Sequence, residues 1–298
     1  MQIKLDLINI DIQPFTANWL PENVLLDILR LDKIHPVVSG NKWFKLKHYL
    51  IDAGQNGYKE IATFGGAYSN HIVAAAFACK AFGFKSTGVI RGEKPGSLSN
   101  TLQQAIEYGM DLHFVSREAF KNKEHIKQKF ADAYWINEGG YGPLGATGAG
   151  EIMSLVPGAE KYSHIVCAVG TGTMFAGIVN SIKPGQKIVG VSVLKNNFST
   201  KAEVEALLHD KTDDGRFEIV HDYHYGGYAK HPPALLDFMK QVWHTNNLPT
   251  DIVYTAKTLY AIQQMILQQA IPPGSRVLMV HSGGLQGNNS LQKGFLPF

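Results

Sequence analysis

The residues with the clearest chemical potential are Ser39-Gly40-Asn41-Lys42, followed at once by Trp43-Phe44-Lys45-Leu46-Lys47-His48-Tyr49-Leu50. Glycine lets the backbone bend and lets a flat ligand approach, because no Cβ stands in the way. Asn41 offers a carboxamide and Lys42 a primary amine. Apolar residues recur at 43, 46, 50 and 53, and Phe44 and Tyr49 broaden the stripe, so an amphipathic helix follows the loop. Lys42 then sits at a helix start, where the positive end of the macrodipole disfavours a further cation. A lysine so placed tends towards a lowered pKa, and a neutral amine is what Schiff-base chemistry needs. The plainer alternative is a solvated lysine in a basic turn with Lys45 and Lys47.

Three further loops fall where α/β sheets place ligands, beyond strand ends and before helices. The first is Gly65-Gly66-Ala67-Tyr68-Ser69-Asn70-His71, after an apolar run at 61–64. Paired glycines expose N–H groups, and the following helix start favours an anion such as a carboxylate. Ser69 also suits a simple helix N-cap. The second loop is Gly170-Thr171-Gly172-Thr173, whose small residues and two hydroxyls suit a phosphate. A dinucleotide site is disfavoured: the third glycine of Gly-x-Gly-x-x-Gly falls on Phe175, no acidic residue stands near 192, and no Walker A lysine follows. A single phosphate on another cofactor fits better. The third loop is His281-Ser282-Gly283-Gly284, where Ser282 can hydrogen-bond a heteroaromatic nitrogen or merely cap a turn. Tyr254-Thr255 opens a helix, and Tyr225-Gly226-Gly227-Tyr228 forms a glycine-tyrosine loop. His221, His224 and His231 are loosely spaced without a neighbouring cysteine or a His-Glu-x-x-His helix, so no metal is expected.

The elements that must carry these loops alternate. Strands are predicted at 3–7, 24–31, 61–64, 89–90, 112–115, 134–136, 165–169, 188–193 and 276–280. Helices are predicted after Lys42 and at 72–82, 99–108, 117–130, 174–182, 235–243 and 255–269. Such alternation indicates parallel βαβ units. The glycine-rich stretch 139–150 reads as the return from an inserted smaller domain. With 298 residues, 45% hydrophobic and 18% charged, the chain has room for two domains and an ordinary globular composition. Its net charge of +3 is scattered, and the densest basic run, 120–129, has helical spacing, which argues against a nucleic-acid surface. Cys79 and Cys167 lie in apolar surroundings, so a disulfide framework is not expected and a reducing compartment is favoured. No membrane span or signal-peptide core is evident, which leads to a cytoplasmic expectation.

An early lysine, a glycine-rich Ser-Asn loop, a phosphate cradle in the second half and a Ser-Gly-Gly strand end make a coherent pyridoxal-phosphate site. In this order, along essentially the whole chain, they resemble the fold-type II pyridoxal-phosphate enzymes related to the tryptophan synthase β subunit. Gly40-Asn41-Lys42 with Lys45-Leu46 is similar to the branch of 1-aminocyclopropane-1-carboxylate (ACC) deaminase and D-cysteine desulfhydrase. The resemblance implies an α/β fold of two domains with open, twisted, mainly parallel sheets flanked by helices. Residues 1–45 and 151–298 would form the larger, cofactor-binding domain and 46–150 the smaller one. It implies that Lys42 forms the Schiff base with pyridoxal 5'-phosphate and shuttles the α-proton. By the same resemblance Asn70 contacts the ring's phenolic oxygen, Ser69 contacts the substrate carboxylate with Asn70 and His71 beside it, and Gly170, Thr171, Gly172 and Thr173 hold the phosphate. Tyr228 and Tyr254 match the family's active-site tyrosines, and Thr255 and Ser282 are expected near the pyridine nitrogen. A small amino acid as substrate and a homodimer follow from the family too.

The chain departs from the pattern in having Phe44 where the family usually carries arginine, and Thr255 where ACC deaminases carry glutamate. The expected activity is therefore β-elimination from D-cysteine, giving pyruvate, sulfide and ammonia. The alternatives are ACC deamination or a non-catalytic protein that binds pyridoxal phosphate or a small anion.

Overall fold

The computed structural model describes residues 10–210 and 215–298, and the strand expected at 3–7 lies outside them. Two sheets carry the chain. The first contains β1 (Ile12–Phe15), β2 (Leu25–Arg30), β7 (His164–Val169), β8 (Lys187–Ser192), β9 (Phe217–Val220) and β10 (Arg276–His281). They run in the order β1-β2-β10-β7-β8-β9, with only the β1–β2 pair antiparallel. The second holds β3 (Glu60–Gly65), β4 (Lys85–Arg91), β5 (Met110–Val115) and β6 (Tyr134–Ile136) in the all-parallel order β5-β4-β3-β6. Parallel strands need crossovers, and the helices supply them: α2 (Asn70–Phe82) and α3 (Asn100–Glu107) on the smaller sheet, α6 (Thr173–Val179) and α9 (Thr255–Leu267) on the larger.

Each sheet has its own apolar packing, and α1 (Asn41–Gln55) belongs to both. Phe44 packs with Ala146, Ala149 and Phe175 beneath the larger sheet, whereas Leu46, Tyr49 and Leu50 pack with Ile61 and Ile72 beneath the smaller. The helix that carries Lys42 therefore joins the two halves. Phe44, 4% exposed, fills an apolar contact where an arginine would need a partner.

Two stretches differ from their sequence pattern. Residues 117–130 form a 3-10 turn at Ala119–Lys121 and a short helix, α4 (Lys123–Gln128), with Asn122 capping the latter through its side chain. The glycine-rich stretch is not all loop: Pro143–Gly150 is a helix, α5, with proline in its first turn. Its glycines serve close packing. A Cβ on Gly148 would stand 1.9 Å from the Phe44 carbonyl oxygen, and one on Gly145 would stand 2.1 Å from that of Gly140. On the facing helix, a Cβ on Gly177 would lie 2.3 Å from the Ala146 oxygen. Tertiary contact among α1, α5 and α6 thus outweighs the poor helix propensity of glycine. β9 and α7 (Thr200–Glu205) are short elements that the pattern did not mark. Among the described residues no helix is long and apolar enough to cross a membrane, and no group of three or more His, Cys, Asp or Glu is placed to hold a metal.

Candidate active site

Strand ends and helix starts from both sheets converge on a cavity of about 1110 Å³. Lys42 enters it from the second position of α1. The backbone turns into that helix at Gly40, which has φ +62°, and a Cβ there would meet the Ser282 carbonyl oxygen at 1.9 Å. Only glycine fits. The loop is fastened to β10 and β2: Asn41 N–H donates to Ser282 O at 3.2 Å and Gly40 N–H to Leu31 O at 3.0 Å. Beneath it, the Asp32 carboxylate accepts from Arg30 Nη2 at 2.7 Å and lies 3.2 Å from His281 Nδ1. Burial opposes ionisation of Asp32, but the charge of His281 and the hydrogen-bonded Arg30 prevail and hold its carboxyl below the ordinary value. The lysine is thus delivered by a rigid support.

Lys42 Nζ donates to Asn41 Oδ1 at 2.7 Å and sits 5.9 Å from the centre of the Tyr254 ring. Burial brings its pKa down to about 8, with the charge of Asp251 opposing part of that effect. Lys45, one turn on, is also buried (6% exposed), and burial together with Lys42 pushes its pKa well below the ordinary value. Among the described residues it has no ion pair or hydrogen bond. The sequence reading mentioned it only as a neighbour of Lys42 in a basic turn; burial against Gly140 and the neighbourhood of His71 place it at the cavity.

The Gly65–His71 loop forms the wall opposite. Ser69 stands at the N-cap position of α2, yet its hydroxyl makes no capping hydrogen bond and remains open to the cavity. Asn70 Nδ2 donates to Gly284 O at 3.4 Å, while Asn70 Oδ1 is buried without a partner. His71 Nε2 lies 2.8 Å from Thr63 Oγ1, whose own proton goes to Ile136 O. The threonine must therefore accept from the ring, so Nε2 carries the hydrogen and Nδ1, buried and unpartnered, carries a lone pair. Burial, with Lys45 and Lys42 adding repulsion, lowers the His71 pKa to about 3, so the ring is neutral.

The Gly170–Thr173 loop lies at the end of β7. Gly172 has φ +77°, and the Thr171 and Thr173 hydroxyls are 3.2 Å apart. The N–H groups of Thr171 and Gly172 donate to no backbone carbonyl among the described residues. A Cβ on Gly170 would stand 3.4 Å from the Tyr254 ring. Tyr228 and Tyr254 meet edge to face at 6.4 Å. Loss of solvation within the cavity raises both phenols, although Tyr228 is 43% exposed, and that of the half-buried Tyr254 rises well above its ordinary value. Ser282 completes the lining.

Thr255 is placed differently. It does not line the cavity; its hydroxyl donates to Asp251 Oδ2 and accepts the Asp251 N–H, both at 2.7 Å. Asp251, which the sequence reading did not single out, also accepts the N–H groups of Val253, Tyr254 and Thr255 and so ties down the start of α9. Its spacing ahead of Tyr254-Thr255 was the available signal. Beside it, the fully buried Lys257 donates from Nζ to Gly227 O at 2.6 Å, which anchors the loop carrying Tyr228.

These residues fit pyridoxal phosphate. An unpaired buried cation and free N–H groups in a glycine-threonine loop suit a phosphate dianion, an unpartnered Asn70 carboxamide suits a ring substituent, and a lysine of lowered pKa stands between them. Five cationic side chains, Lys42, Lys45, Arg91, Arg117 and Lys121, line the cavity against two carboxylates, Glu138 and Glu203.

The similarities to known proteins point the same way. A Thermotoga maritima protein provisionally named as a 1-aminocyclopropane-1-carboxylate deaminase is 31% identical over 282 residues, covering 87% of this chain and 88% of that one. The Arabidopsis thaliana "bifunctional D-cysteine desulfhydrase/1-aminocyclopropane-1-carboxylate deaminase, mitochondrial" is 28% identical, covering 90% of this chain and 74% of its own. The crystal structure of an ACC deaminase homologue superposes with a TM-score of 0.78 at 25% identity, covering 96% of this chain and 93% of that one. The profile of the family described as "Pyridoxal-phosphate dependent enzyme" matches residues 27–283, and with the buried lysine, the glycine-threonine loop and the fold already in place, the chain belongs to that family of pyridoxal-phosphate-dependent enzymes.

Proposed function

We propose that this enzyme eliminates a β-substituent from a small amino acid, D-cysteine or a close analogue, releasing pyruvate, ammonia and the leaving group. When bound, pyridoxal phosphate supplies an electron sink for the pair left at Cα as its proton departs. Lys42 Nζ, neutral in an appreciable fraction of molecules near pH 7, holds the cofactor and then takes that proton. Lys45 and the Gly170–Thr173 loop hold the phosphate. Ser69 offers a free hydroxyl to the substrate carboxylate, close to the N-terminus of the thirteen-residue helix α2. The raised phenols of Tyr228 and Tyr254 stay protonated and can donate to a departing thiolate.

The observation that carries elimination over ACC opening is the lining near Ser282. Opening a cyclopropane without an α-hydrogen needs a strong sink, which a carboxylate favours by keeping the pyridine nitrogen protonated. Among the described residues the cavity-lining carboxylates are Glu138 and Glu203, from the 138–140 turn and α7 rather than from the β10 end that carries Ser282, and Asp251 is occupied by three backbone N–H groups and the Thr255 hydroxyl. A neutral hydroxyl gives a weaker sink that still suffices for a good leaving group. ACC deamination is the second reading, favoured by the names of the relatives. The purified holoenzyme should release pyruvate and sulfide from D-cysteine and little 2-oxobutanoate from ACC at matched concentration. Efficient ACC opening would overturn the choice, and absence of a yellow lysine-linked cofactor would overturn the whole proposal.

A further inference from the structure

One side of the cavity carries charge that the cofactor and the α-carboxylate do not use. Arg91 ends β4, and Arg117 lies two residues beyond Val115, the β5 residue paired with Arg91. Parallel pairing therefore puts both residues at the same end of the smaller sheet. Both line the cavity, and neither has an ion pair or hydrogen bond among the described residues. Lys121, the third cation there, is taken by Glu118 at 2.7 Å. The Arg91 guanidinium lies 5.6 Å over the Phe120 ring, a buried aromatic that gives it a fixed platform. On its other side Arg91 Nη2 would be 3.8 Å from a Cβ on Gly66, so it packs against the bare backbone of the loop leading to Ser69. Across the cavity, Tyr228 is near enough for the Arg91 charge to act on its phenol. The lysines have other work in the function proposed above: Lys42 in the chemistry and Lys45 toward the phosphate.

Both arginines are solvent-exposed, which leaves their guanidinium forks open to an incoming ligand, and a doubly or triply oxygenated anion is the group such forks bind best through charge-assisted hydrogen bonds. Resting on the elimination chemistry proposed above, we infer that Arg91 and Arg117 form a subsite for an anionic β-substituent, so that the substrates handled best carry a sulfate- or phosphate-like oxyanion on Cβ. For a serine O-sulfate, Lys42 takes the α-proton. The electron pair of the Cα–H bond becomes the Cα=Cβ bond, and the Cβ–O bond breaks with its pair leaving on sulfate. The resulting aminoacrylate adds water to give pyruvate and ammonium, and no oxidant or reductant is needed.

The test compares holoenzyme turnover of serine O-sulfate, O-phosphoserine and uncharged β-chloroalanine, each as D and L enantiomers, in the wild type, Arg91→Gln and Arg91→Gln/Arg117→Gln. Calorimetric binding of 3-sulfopropanoate, which cannot react, is measured alongside. The kcat/KM ratio of an oxyanion ester to β-chloroalanine should fall about tenfold or more in Arg91→Gln and further in the double variant. Whether sulfate or phosphate shows the larger fall identifies the preferred oxyanion, and 3-sulfopropanoate binding should weaken in parallel. A ratio that stays within about twofold of wild type in both variants overturns the subsite, as does equal loss for charged and uncharged substrates, which would assign Arg91 to the α-carboxylate. If no amino acid is turned over while 3-sulfopropanoate still binds through Arg91, the elimination proposal fails and the anion subsite stands.

Discussion

Replacing Lys42 by methionine should make the cofactor-free protein inactive and more stable. The Lys42 pKa is lowered by burial from 10.5 to about 8. The difference corresponds to about 3 kcal/mol of folding free energy lost to keeping this amine charged in the interior. Methionine preserves the stem of the side chain and removes that cost. It also leaves Asn41 Oδ1 without its 2.7 Å donor, which returns about 1 kcal/mol. The net gain at pH 7 is about 2 kcal/mol, enlarged by any relief of Lys45, whose charge Lys42 opposes. The sign with pH follows from proton counts. Below about pH 8 both folded and unfolded wild-type chains hold the proton, and the full cost is present. Between about 8 and 10.5 only the unfolded chain holds it, so wild-type stability rises with pH and the advantage of the variant shrinks. Urea denaturation of both apoproteins at pH 7 and pH 10 measures the difference directly. A variant less stable than wild type at pH 7, or a gap unchanged between the two pH values, would refute the idea that Lys42 is held as a destabilised amine. The same lowering has a chemical consequence: at pH 7.5 about a quarter of the molecules present a neutral amine, against about one in a thousand for an ordinary lysine.

Two other residues give sharp expectations. Lys45→Met should weaken retention of pyridoxal phosphate about ten- to a hundredfold by removing the buried amine that lines the same cavity as the Gly170–Thr173 loop proposed to hold the phosphate, read from reconstitution of apoprotein at graded cofactor concentrations. Lys257→Met should lower kcat about tenfold or more while cofactor affinity changes little, because the 2.6 Å anchor to Gly227 O that sets Tyr228 is lost; kinetics on D-cysteine together with cofactor titration separate the two effects.

The sequence by itself determined the parts governed by local periodicity and punctuation. Alternating apolar runs set the parallel α/β plan, and Lys42 at a helix start and the loops at 65–71, 170–173 and 281–284 were legible because glycines and small polar residues follow apolar strands. What depends on distant backbone was decided only by the tertiary structure. The glycines of Pro143–Gly150 read as loop until α1 and α6 press against them, since helix propensity is weak beside close packing. Thr255 reads as a cavity hydroxyl until Asp251 captures it. Lys45 and Lys47 look alike in the sequence, yet Lys47 reaches Glu151 while Lys45 is buried at the cavity with no partner among the described residues, because two residues along an α-helix turn the side chain through about 200°, from one face of α1 to nearly the opposite one. Arg91 and Arg117, far apart in the sequence, line one cavity because β4 and β5 pair in parallel, and that shared lining exists only in three dimensions.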